Sequence, residues 1–378
     1  MDTSCNRDLG KKLDKMTNKK IVYVIGSASI GGAELQMLQL SKLLKENGWL
    51  CEIWFLKIGS GTVARYATDL DIKWQSFNFQ KRYKNPINLL FGFIKLLIAI
   101  NQTKPDIVQA YMAEGIIVSL NLFRLISPKT RRVAAIRGFT PNKGIFQELV
   151  FRKTLQTSHL ITVNAKHLAD EMKNRFYVQN SRVKLIHNGV NSVTTKLDLR
   201  HNPPNIIVIA NFHKYKGHTF LLQALSKVNL DFRCFLIGDG IEKKKLQTKI
   251  NDLGLSKKVV ISEEILSVSP FLRMSQIAIH PSETEGLSNA ILEEMSWGLP
   301  IIAFNVGGNS ELIRNNVNGF LVNLNDEEAF IEKILILMMD LDLRIKMGNA
   351  SKKLVDDFSW KNCVDSYEMA YRELITGV

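Results

Sequence analysis

Short apolar runs alternate with stretches whose apolar residues recur at helical spacing. The run "KIVYVIG" (20–26) predicts a strand, and "AELQMLQLSKLLKENG" (33–48) predicts the helix that follows it. The first half continues with predicted strands at 51–58, 106–112 and 132–137 and a predicted helix at 87–103. Strands that alternate with helices predict an α/β fold, with a parallel sheet covered on both faces.

The pattern then restarts. Predicted strands lie at 205–210, 232–240, 258–262, 277–282 and 300–305, with helices at 218–228 and 243–254. The segment "SVTTKLDLRHNPPN" (192–205) between the halves is polar, contains two consecutive prolines and shows no periodicity, which is typical of a linker. We therefore expect a flexible basic extension (1–19), an N-terminal domain (20–195) and a C-terminal domain (204–358).

Length and composition agree with two globular domains. The chain has 378 residues, and domains run at roughly 100–200 residues each. Its four cysteines are far apart and form no C-x-x-C pair, which argues against a structural zinc site or a disulfide framework. The first twenty residues contain no apolar signal-peptide core, so we expect a cytoplasmic protein.

The positive charge belongs to the first half. Residues 1–200 contain 31 Lys and Arg against 14 Asp and Glu, whereas residues 201–378 contain 19 against 22. Such asymmetry predicts an acidic partner, either nucleic acid, an anionic membrane or a phosphorylated substrate, unless the basic surface is merely solvated. The basic residues are dispersed and lack interleaved aromatics, which argues against nucleic acid.

The most apolar predicted helix, 87–103, contains an apolar stretch of about fourteen residues (87–100), short of the roughly twenty needed to cross a bilayer. We favour a buried helix of the first domain over one that touches a membrane. The nearby "QKRYK" (80–84) keeps the second interpretation open, because a basic segment beside an apolar helix suits an anionic membrane interface.

Two loops are candidates for binding phosphate. Gly31 and Gly32 precede a predicted helix, whose N-terminal amides could bind an anion, although structural turn glycines explain them equally well. His213 and Lys216 follow the strand 205–210, at the sheet edge where open parallel sheets bind ligands. The position of these basic residues, more than their charge, predicts contact with a diphosphate.

Glu285 and Glu293, in "SETEGLSNAILEEMSWGLP" (282–300), are candidate ligand-binding carboxylates. On one continuous helix, eight steps of 100° would place them about 80° apart. We instead predict that Glu285 lies in the loop after a strand, that Ser288 caps the next helix, and that Glu293 points from this helix to the same crevice. Glu294 would face away.

The next loop, "NVGGNSELI" (305–313), again leads into a predicted helix, with Asn309 or Ser310 as its cap. Glycine loops suit phosphates, and carboxylates at a sheet edge suit sugar hydroxyls. Together they favour a nucleotide sugar as the ligand.

The segment "HPSETEGLSNAILEEMSWGLPIIAFNVGGNSELIRNNVNGFLV" (280–322) closely resembles the donor-binding region of retaining glycosyltransferases of family 4 (glycosyltransferases group 1), with Glu285 and Glu293 as the E-x7-E pair. Further matches, in family order, are "GGAE" (31–34), "KLIHNGVN" (184–191), "KGH" (216–218) and "LIGDG" (236–240).

The resemblance implies the GT-B architecture: two Rossmann-like domains facing a cleft, with the acceptor on the first, the donor on the second, and a last helix (359–378) that crosses back to the first. It implies that Glu285 contacts the donor sugar and Glu293 the ribose. Lys216 and the amides of 286–288 would hold the diphosphate, with no metal and no cofactor. The donor-binding residues predicted in this way are Gly31, Gly32, Asn211, His213, Lys216, Gly238, Glu285, Gly286, Leu287, Ser288 and Glu293.

Two positions depart from the family pattern. The family often has an arginine five residues before the lysine of the "KG" motif, here Lys216, but this chain has Asn211 at that position. Lys216 and His213 would therefore have to neutralise more of the phosphate charge. Where many members have a first-domain histidine near the reacting sugar, this chain has Arg137. We therefore predict Glu285, Lys216 and Arg137 as the catalytic residues.

The predicted function is retaining transfer of a hexosyl group from a UDP- or GDP-sugar to a hydroxyl of a sugar acceptor. We expect a lipid-linked acceptor of bacterial surface polysaccharide or O-antigen synthesis, with an oligosaccharide acceptor as the alternative, and peripheral association with the inner face of the cytoplasmic membrane as an open question. A sugar-nucleotide epimerase or a phosphorylase on the same fold is the enzymatic alternative. A non-catalytic protein that binds nucleic acid or membranes through charge is the other.

Overall fold

The structure is a computed structural model that describes residues 18–77, 79, 86–138, 144–195, 197–263 and 268–377, without the side chains of 86–89. The chain separates into two compact units. The first runs to His187 and also includes the residues from Cys363 onward, and the second is Asn188–Asn362. Most of the predicted extension (1–19) and the basic segment 80–84 lie outside the described residues.

The first unit contains a seven-stranded parallel sheet in the order β3-β2-β1-β4-β5-β6-β7. The chain therefore builds outward from β1 to one edge, then returns beside β1 and builds to the other edge. Its strands are β1 Lys20–Ser27, β2 Leu50–Lys57, β3 Lys73–Ser76, β4 Ile107–Tyr111, β5 Arg131–Ile136, β6 Leu160–Val163 and β7 Val183–Leu185.

Helices connect these strands, as the alternating pattern predicts. They are α1 Gly32–Glu46, α2 Thr62–Asp69, α3 Pro86–Thr103, α4 Met112–Gly115, α5 Asn121–Ile126, α6 Ile145–Thr157 and α7 Lys166–Asn174. A π-helical segment, Ile116–Leu120, joins α4 to α5, and a 3-10 turn, Asn180–Arg182, precedes β7.

The second unit contains a six-stranded parallel sheet in the order β10-β9-β8-β11-β12-β13, with the same kind of return, here between β8 and β11. Its strands are β8 Asn205–Ile209, β9 Arg233–Ile237, β10 Val259–Ser262, β11 Ile277–His280, β12 Ile301–Phe304 and β13 Gly319–Val322. The predicted α/β class with two Rossmann-like domains is confirmed.

The helices of the second unit again alternate with its strands. They are α8 His218–Ser226, α9 Lys243–Asp252, α10 Ser269–Met274, α11 Asn289–Trp297, α12 Asn309–Leu312, α13 Glu327–Met339 and α14 Leu341–Leu354, with 3-10 turns at Lys214–Lys216 and Val355–Phe358. The last helix, α15 Trp360–Thr376, begins in this unit and ends in the first.

The central strands are apolar because helices cover both faces of a parallel sheet. All residues of β4, β6, β11 and β12 are buried. Four short strands were not predicted from the sequence: Lys73–Ser76, Leu160–Val163, Val183–Leu185 and Gly319–Val322.

Helix α3 is buried on one side only, so the prediction of a buried helix is wrong. Its inner face packs Leu96 and Ile100 into the first unit. Its other face exposes apolar side chains to solvent: Leu90, Phe91, Phe93, Ile94 and Ile98. In the part of the chain that the structure describes, no helix has the length and apolarity needed to span a bilayer.

Helix α15 docks on the first sheet through buried tyrosines. The hydroxyl of Tyr371 donates to Gln109 Oε1 at 2.7 Å and lies 3.4 Å from the hydroxyl of Tyr23. Burial raises the pKa of both Tyr23 and Tyr371 well above the ordinary value, so these hydroxyls stay neutral. The end of the chain thus becomes part of the first unit's core.

Arg137 belongs to the same network. It follows β5 directly, and its guanidinium donates to the hydroxyl of Tyr367 on α15. The guanidinium carbon also lies 5.6 Å from the ring centroid of Tyr111 and 5.9 Å from that of Tyr367. The residue predicted to be catalytic therefore holds the C-terminal helix against the sheet.

We expect Arg137→Ala to lower the free energy of opening of α15 by about 2 kcal/mol, because it removes a charge-assisted hydrogen bond and two cation–π contacts. Hydrogen–deuterium exchange of peptides from 363–376 measures this directly. Arg152→Ala is the matched control, since Arg152 lies 4.3 Å from the ring centroid of the exposed Tyr177. Equal exchange in the two variants would contradict the assignment.

Candidate functional site

The return of the chain between β8 and β11 defines the candidate site in the second unit. In open parallel sheets, ligands bind outside the carboxyl ends of the strands, at the point where the strand order reverses. The loops that leave this point are 210–217, after β8, and 281–288, after β11. They contain most of the residues that the sequence predicts as donor-binding.

The two loops pack backbone to backbone. Gly217 has a left-handed φ of +70°, and a Cβ there would lie 1.8 Å from the carbonyl oxygen of Pro281. The amide of Glu283 donates to the carbonyl of Tyr215 at 2.8 Å. Only glycine permits this approach at 217, so the glycine of "KGH" has a steric explanation.

An ion pair joins the loops at their polar ends. Lys216 Nζ lies 2.5 Å from Glu285 Oε1, and both side chains are mostly buried, with 17% and 12% exposure. Lys216 also lies 5.3 Å from the ring centroid of Tyr215, on which His213 stacks at 5.7 Å. The structure thus brings Lys216, Glu285 and His213 to one edge of the sheet.

A third loop supports the position of Glu285. The amide of Gly308 donates to the carbonyl of Gly286 at 2.8 Å. Gly307 has a φ of +53°, and a Cβ there would lie 2.0 Å from the carbonyl oxygen of Glu285. The prediction of Asn309 or Ser310 as a cap is wrong, since α12 begins at Asn309 and Gly308 occupies the cap position.

Helix α11 begins as predicted, with Ser288 as its cap. The hydroxyl of Ser288 accepts from the amide of Ile291 at 3.4 Å, and the left-handed Gly298, with φ +81°, ends the helix. Glu293 is partly buried on this helix. Burial, and then the charge of neighbouring Glu294, raise the pKa of Glu293 to about 7.

Glu294 was not predicted to have a role, yet it is one of the most buried polar residues of the unit. Its side chain has 0% exposure, and its Oε2 lies 2.5 Å from His280 Nε2. A sequence signal exists, because Glu294 lies three residues after the apolar Ile291, on the same face of the helix. It therefore occupies the inner face of α11.

The other predicted residues are spread more widely. Gly238 follows β9, where a Cβ would lie 2.1 Å from the carbonyl oxygen of Ala210, and Asn211 is exposed in the loop after β8. Leu287 is buried, and its carbonyl accepts from the side-chain amide of Asn188 at 3.4 Å. Gly31, Gly32 and Arg137 belong to the first unit.

The first unit has an equivalent edge, where the chain returns between β1 and β4. Gly31 precedes α1 there, and Met112, directly after β4, has a φ of +59°. A positive φ is uncommon outside glycine and is often found at functional sites. Lys57 and Glu114 form an ion pair at 2.8 Å beside it. Met112 and this pair were not predicted from the sequence.

The chain has two Rossmann-like units, and a candidate ligand site with charged side chains lies at the carboxyl edge of the second sheet. Two family models match adjoining parts of the chain: Glycosyltransferase Family 4 at residues 30–193 and Glycosyl transferases group 1 at residues 190–354. The chain belongs to this glycosyltransferase family, of GT-B fold.

Several relatives are glycosyltransferases by name. The UDP-Gal:alpha-D-GlcNAc-diphosphoundecaprenol alpha-1,3-galactosyltransferase of Escherichia coli is 28% identical, over 53% of this chain and 57% of its own length. The GalNAc-alpha-(1->4)-GalNAc-alpha-(1->3)-diNAcBac-PP-undecaprenol alpha-1,4-N-acetyl-D-galactosaminyltransferase of Campylobacter jejuni is 22% identical, over 90% of this chain and 94% of its own length. The chain spans between 45% and 62% of the length of the first curated relatives it matches.

Solved structures share the fold. A glycosyltransferase from Rickettsia africae has a TM-score of 0.79 and 22% identity, covering 96% of this chain and 100% of its own. Anabaena HepE in complex with UDP and glucose has a TM-score of 0.82 and 18% identity, with the same coverage.

We expect Gly217→Ala to destabilise the protein by about 1–3 kcal/mol more than Gly254→Ala. Both glycines are left-handed, with φ of +70° and +68°, but a Cβ at 254 meets nothing within 4 Å. The two substitutions share the backbone strain, so the difference isolates the clash with Pro281. Urea unfolding followed by circular dichroism measures the free energy of unfolding of both variants. Equal losses of this free energy would show that the two loops move apart without an energetic cost.

Proposed function

We propose that the protein is a retaining hexosyltransferase that takes its sugar from a nucleotide diphosphate sugar, UDP- or GDP-linked, without a metal or a cofactor. The observation that carries this proposal is the Lys216–Glu285 pair, held at 2.5 Å by the loops that leave the strand reversal. It offers a cation and a carboxylate side by side, as a diphosphate joined to a polyhydroxylated sugar requires.

In the proposed reaction, Lys216 stabilises the negative charge that grows on the diphosphate as the bond to the anomeric carbon breaks. The amides of residues 286–288 lie directly before the nine-residue helix α11, whose N-terminus favours an anion. Glu285 would accept hydrogen bonds from hydroxyls of the donor sugar, and Glu293 from those of the ribose. Retention rests on the resemblance to family 4.

We propose that the reaction needs no metal ion, as the resemblance to family 4 implies. Lys216 instead supplies a positive charge beside the loop amides. The proposed catalysis therefore depends on this lysine more than on a bound cation.

We propose a lipid-diphosphate-linked sugar as the acceptor, at an anionic membrane surface. Relatives named for undecaprenol-linked substrates support this class. The first unit has a surface suited to such a membrane. Helix α3 exposes five apolar side chains between Leu90 and Ile98, and it packs against α5. On α5, Leu125 is 77% exposed next to the exposed Arg124. Apolar side chains beside cations are typical of interfacial membrane binding.

We expect Lys216→Ala, Glu285→Ala and Glu293→Ala each to lower donor kcat/KM at least about a hundredfold, since each removes a proposed contact to the donor. A screen of UDP- and GDP-sugars with EDTA present measures this loss. Glu283→Ala, in the same loop but exposed, is the control.

The same screen tests the rest of the proposal. Three results would each contradict the proposed function. They are an inverted anomeric centre in the product by NMR, an absolute need for a divalent cation, and normal turnover of donor by the variants. An epimer formed from donor alone, or an absolute need for phosphate, would identify the epimerase or phosphorylase instead.

We expect the protein to co-float with anionic phosphatidylglycerol vesicles at low salt, and the Phe91→Ser/Ile94→Ser variant to bind several-fold less, since it removes apolar area from the face of α3. Ile241→Ser/Met339→Ser is the control, because these apolar side chains are exposed on the second unit. Absence of flotation in the wild type, or equal loss in both variants, would contradict the membrane proposal.

A further inference from the structure

The buried pair of His280 and Glu294 spans the loop that carries Glu285. His280 is the last residue of β11, and Glu294 lies in the second turn of α11, so the pair ties together the two elements that this loop connects. Their side chains have 2% and 0% exposure, and Nε2 lies 2.5 Å from Oε2. The pair is therefore shielded from water.

Stability alone does not explain this pair. The second carboxylate oxygen of Glu294 is buried and has no hydrogen-bond partner among the described residues. Burial raises the pKa of Glu294, and the contact with His280 opposes that rise only in part. Apolar residues of similar volume often stabilise a protein as well as a buried ionic pair does, or better. A different role for the pair is therefore expected.

The geometry points to a role in positioning. Glu293 and Glu294 are adjacent on α11, so fixing Glu294 against β11 fixes the rotation of the helix and hence the direction of Glu293, about 100° away. We propose that Glu294 and His280 are positioning residues that set the orientation of Glu293 and the span of the Glu285 loop for donor binding. This inference rests on the proposed function, in which those two glutamates hold the donor.

The charged groups around Glu293 predict how nucleotide binding depends on pH. Glu294 faces His280 of β11, and beyond it lie His218 at the start of α8 and the Lys216–Glu285 pair. Burial, Lys216 and His280 lower the pKa of His218 to about 4, so His218 is neutral near pH 7. Burial, and then the charge that Glu294 carries when it is ionised beside His280, raise the pKa of Glu293.

The sign of the pH dependence follows. In the proposed function, the ionised carboxylate of Glu293 accepts hydrogen bonds from the ribose hydroxyls. The affinity for nucleotide should therefore rise with pH as Glu293 loses its proton, near pH 7 in the wild type. Glu294→Gln keeps a hydrogen-bonding partner for His280 but removes the neighbouring charge. The pKa of Glu293 then falls, and the midpoint of nucleotide binding moves to lower pH.

Two variants test the inference, with UDP and GDP as probes in calorimetric titrations between pH 5.5 and 8.5. For Glu294→Gln we expect the midpoint of binding to shift by about half a unit to one unit toward acid. For His280→Leu/Glu294→Leu we expect a melting temperature no lower than that of the wild type, but a loss of about tenfold or more in donor kcat/KM.

Normal kcat/KM in a folded double variant overturns the inference. If the double variant does not fold, Glu294→Ala decides instead: normal donor kcat/KM in that variant, shown to be folded by its melting curve, overturns the positioning role. Glu285→Ala and Glu293→Ala distinguish failure of the proposed function from failure of the positioning role. If both variants bind nucleotide and turn over donor normally, the proposed function fails. If both lose donor turnover while the positioning variants behave as the wild type, only the positioning role fails.

Discussion

The close approach of the loops after β8 and β11 is the constraint on which the candidate site depends. Lys216 and Glu285 are 69 residues apart in sequence, yet their charged groups lie 2.5 Å apart. Two features of the fold make this possible: the strand order reverses between β8 and β11, and Gly217 has no side chain to hold Pro281 away. A larger residue at 217 or 307 would push apart backbones whose contact positions the ion pair.

Several parts of this arrangement can be predicted from the sequence. The alternating pattern predicts two parallel sheets, and the position of Glu285 after a strand, with Ser288 as a helix cap, predicts a loop-and-helix site. These predictions succeed because they depend on local periodicity and on capping, which neighbouring residues determine. The strands β3 and β7 were not predicted because none of their residues is buried, so neither has an apolar run. Length alone is not the reason, since β10, β11 and β12 are also four residues long and were predicted.

Other parts depend on contacts between residues that are distant in sequence. The burial of Glu294 can be inferred from its place on the inner face of α11, but its partner His280 becomes known only when β11 and α11 are packed together. Helix α3 shows the converse. Its uniform apolarity indicates a buried helix, whereas the fold covers only one side of it. Hydrophobicity predicts which residues can be buried, and topology decides which of them are.

The two units use cations at strand ends in different ways. Arg137, after β5, is held by the faces of two tyrosine rings and by the hydroxyl of Tyr367, within a network that anchors the last helix. Lys216, after β8, faces a carboxylate at a loop, where a diphosphate could compete with Glu285 for the same ammonium. Arg137 would have to leave the aromatic rings to bind a ligand, and this would loosen α15. Lys216 could instead exchange the carboxylate of Glu285 for the diphosphate of a ligand. The same fold therefore supports a structural cation in the first unit and a proposed ligand-binding cation in the second.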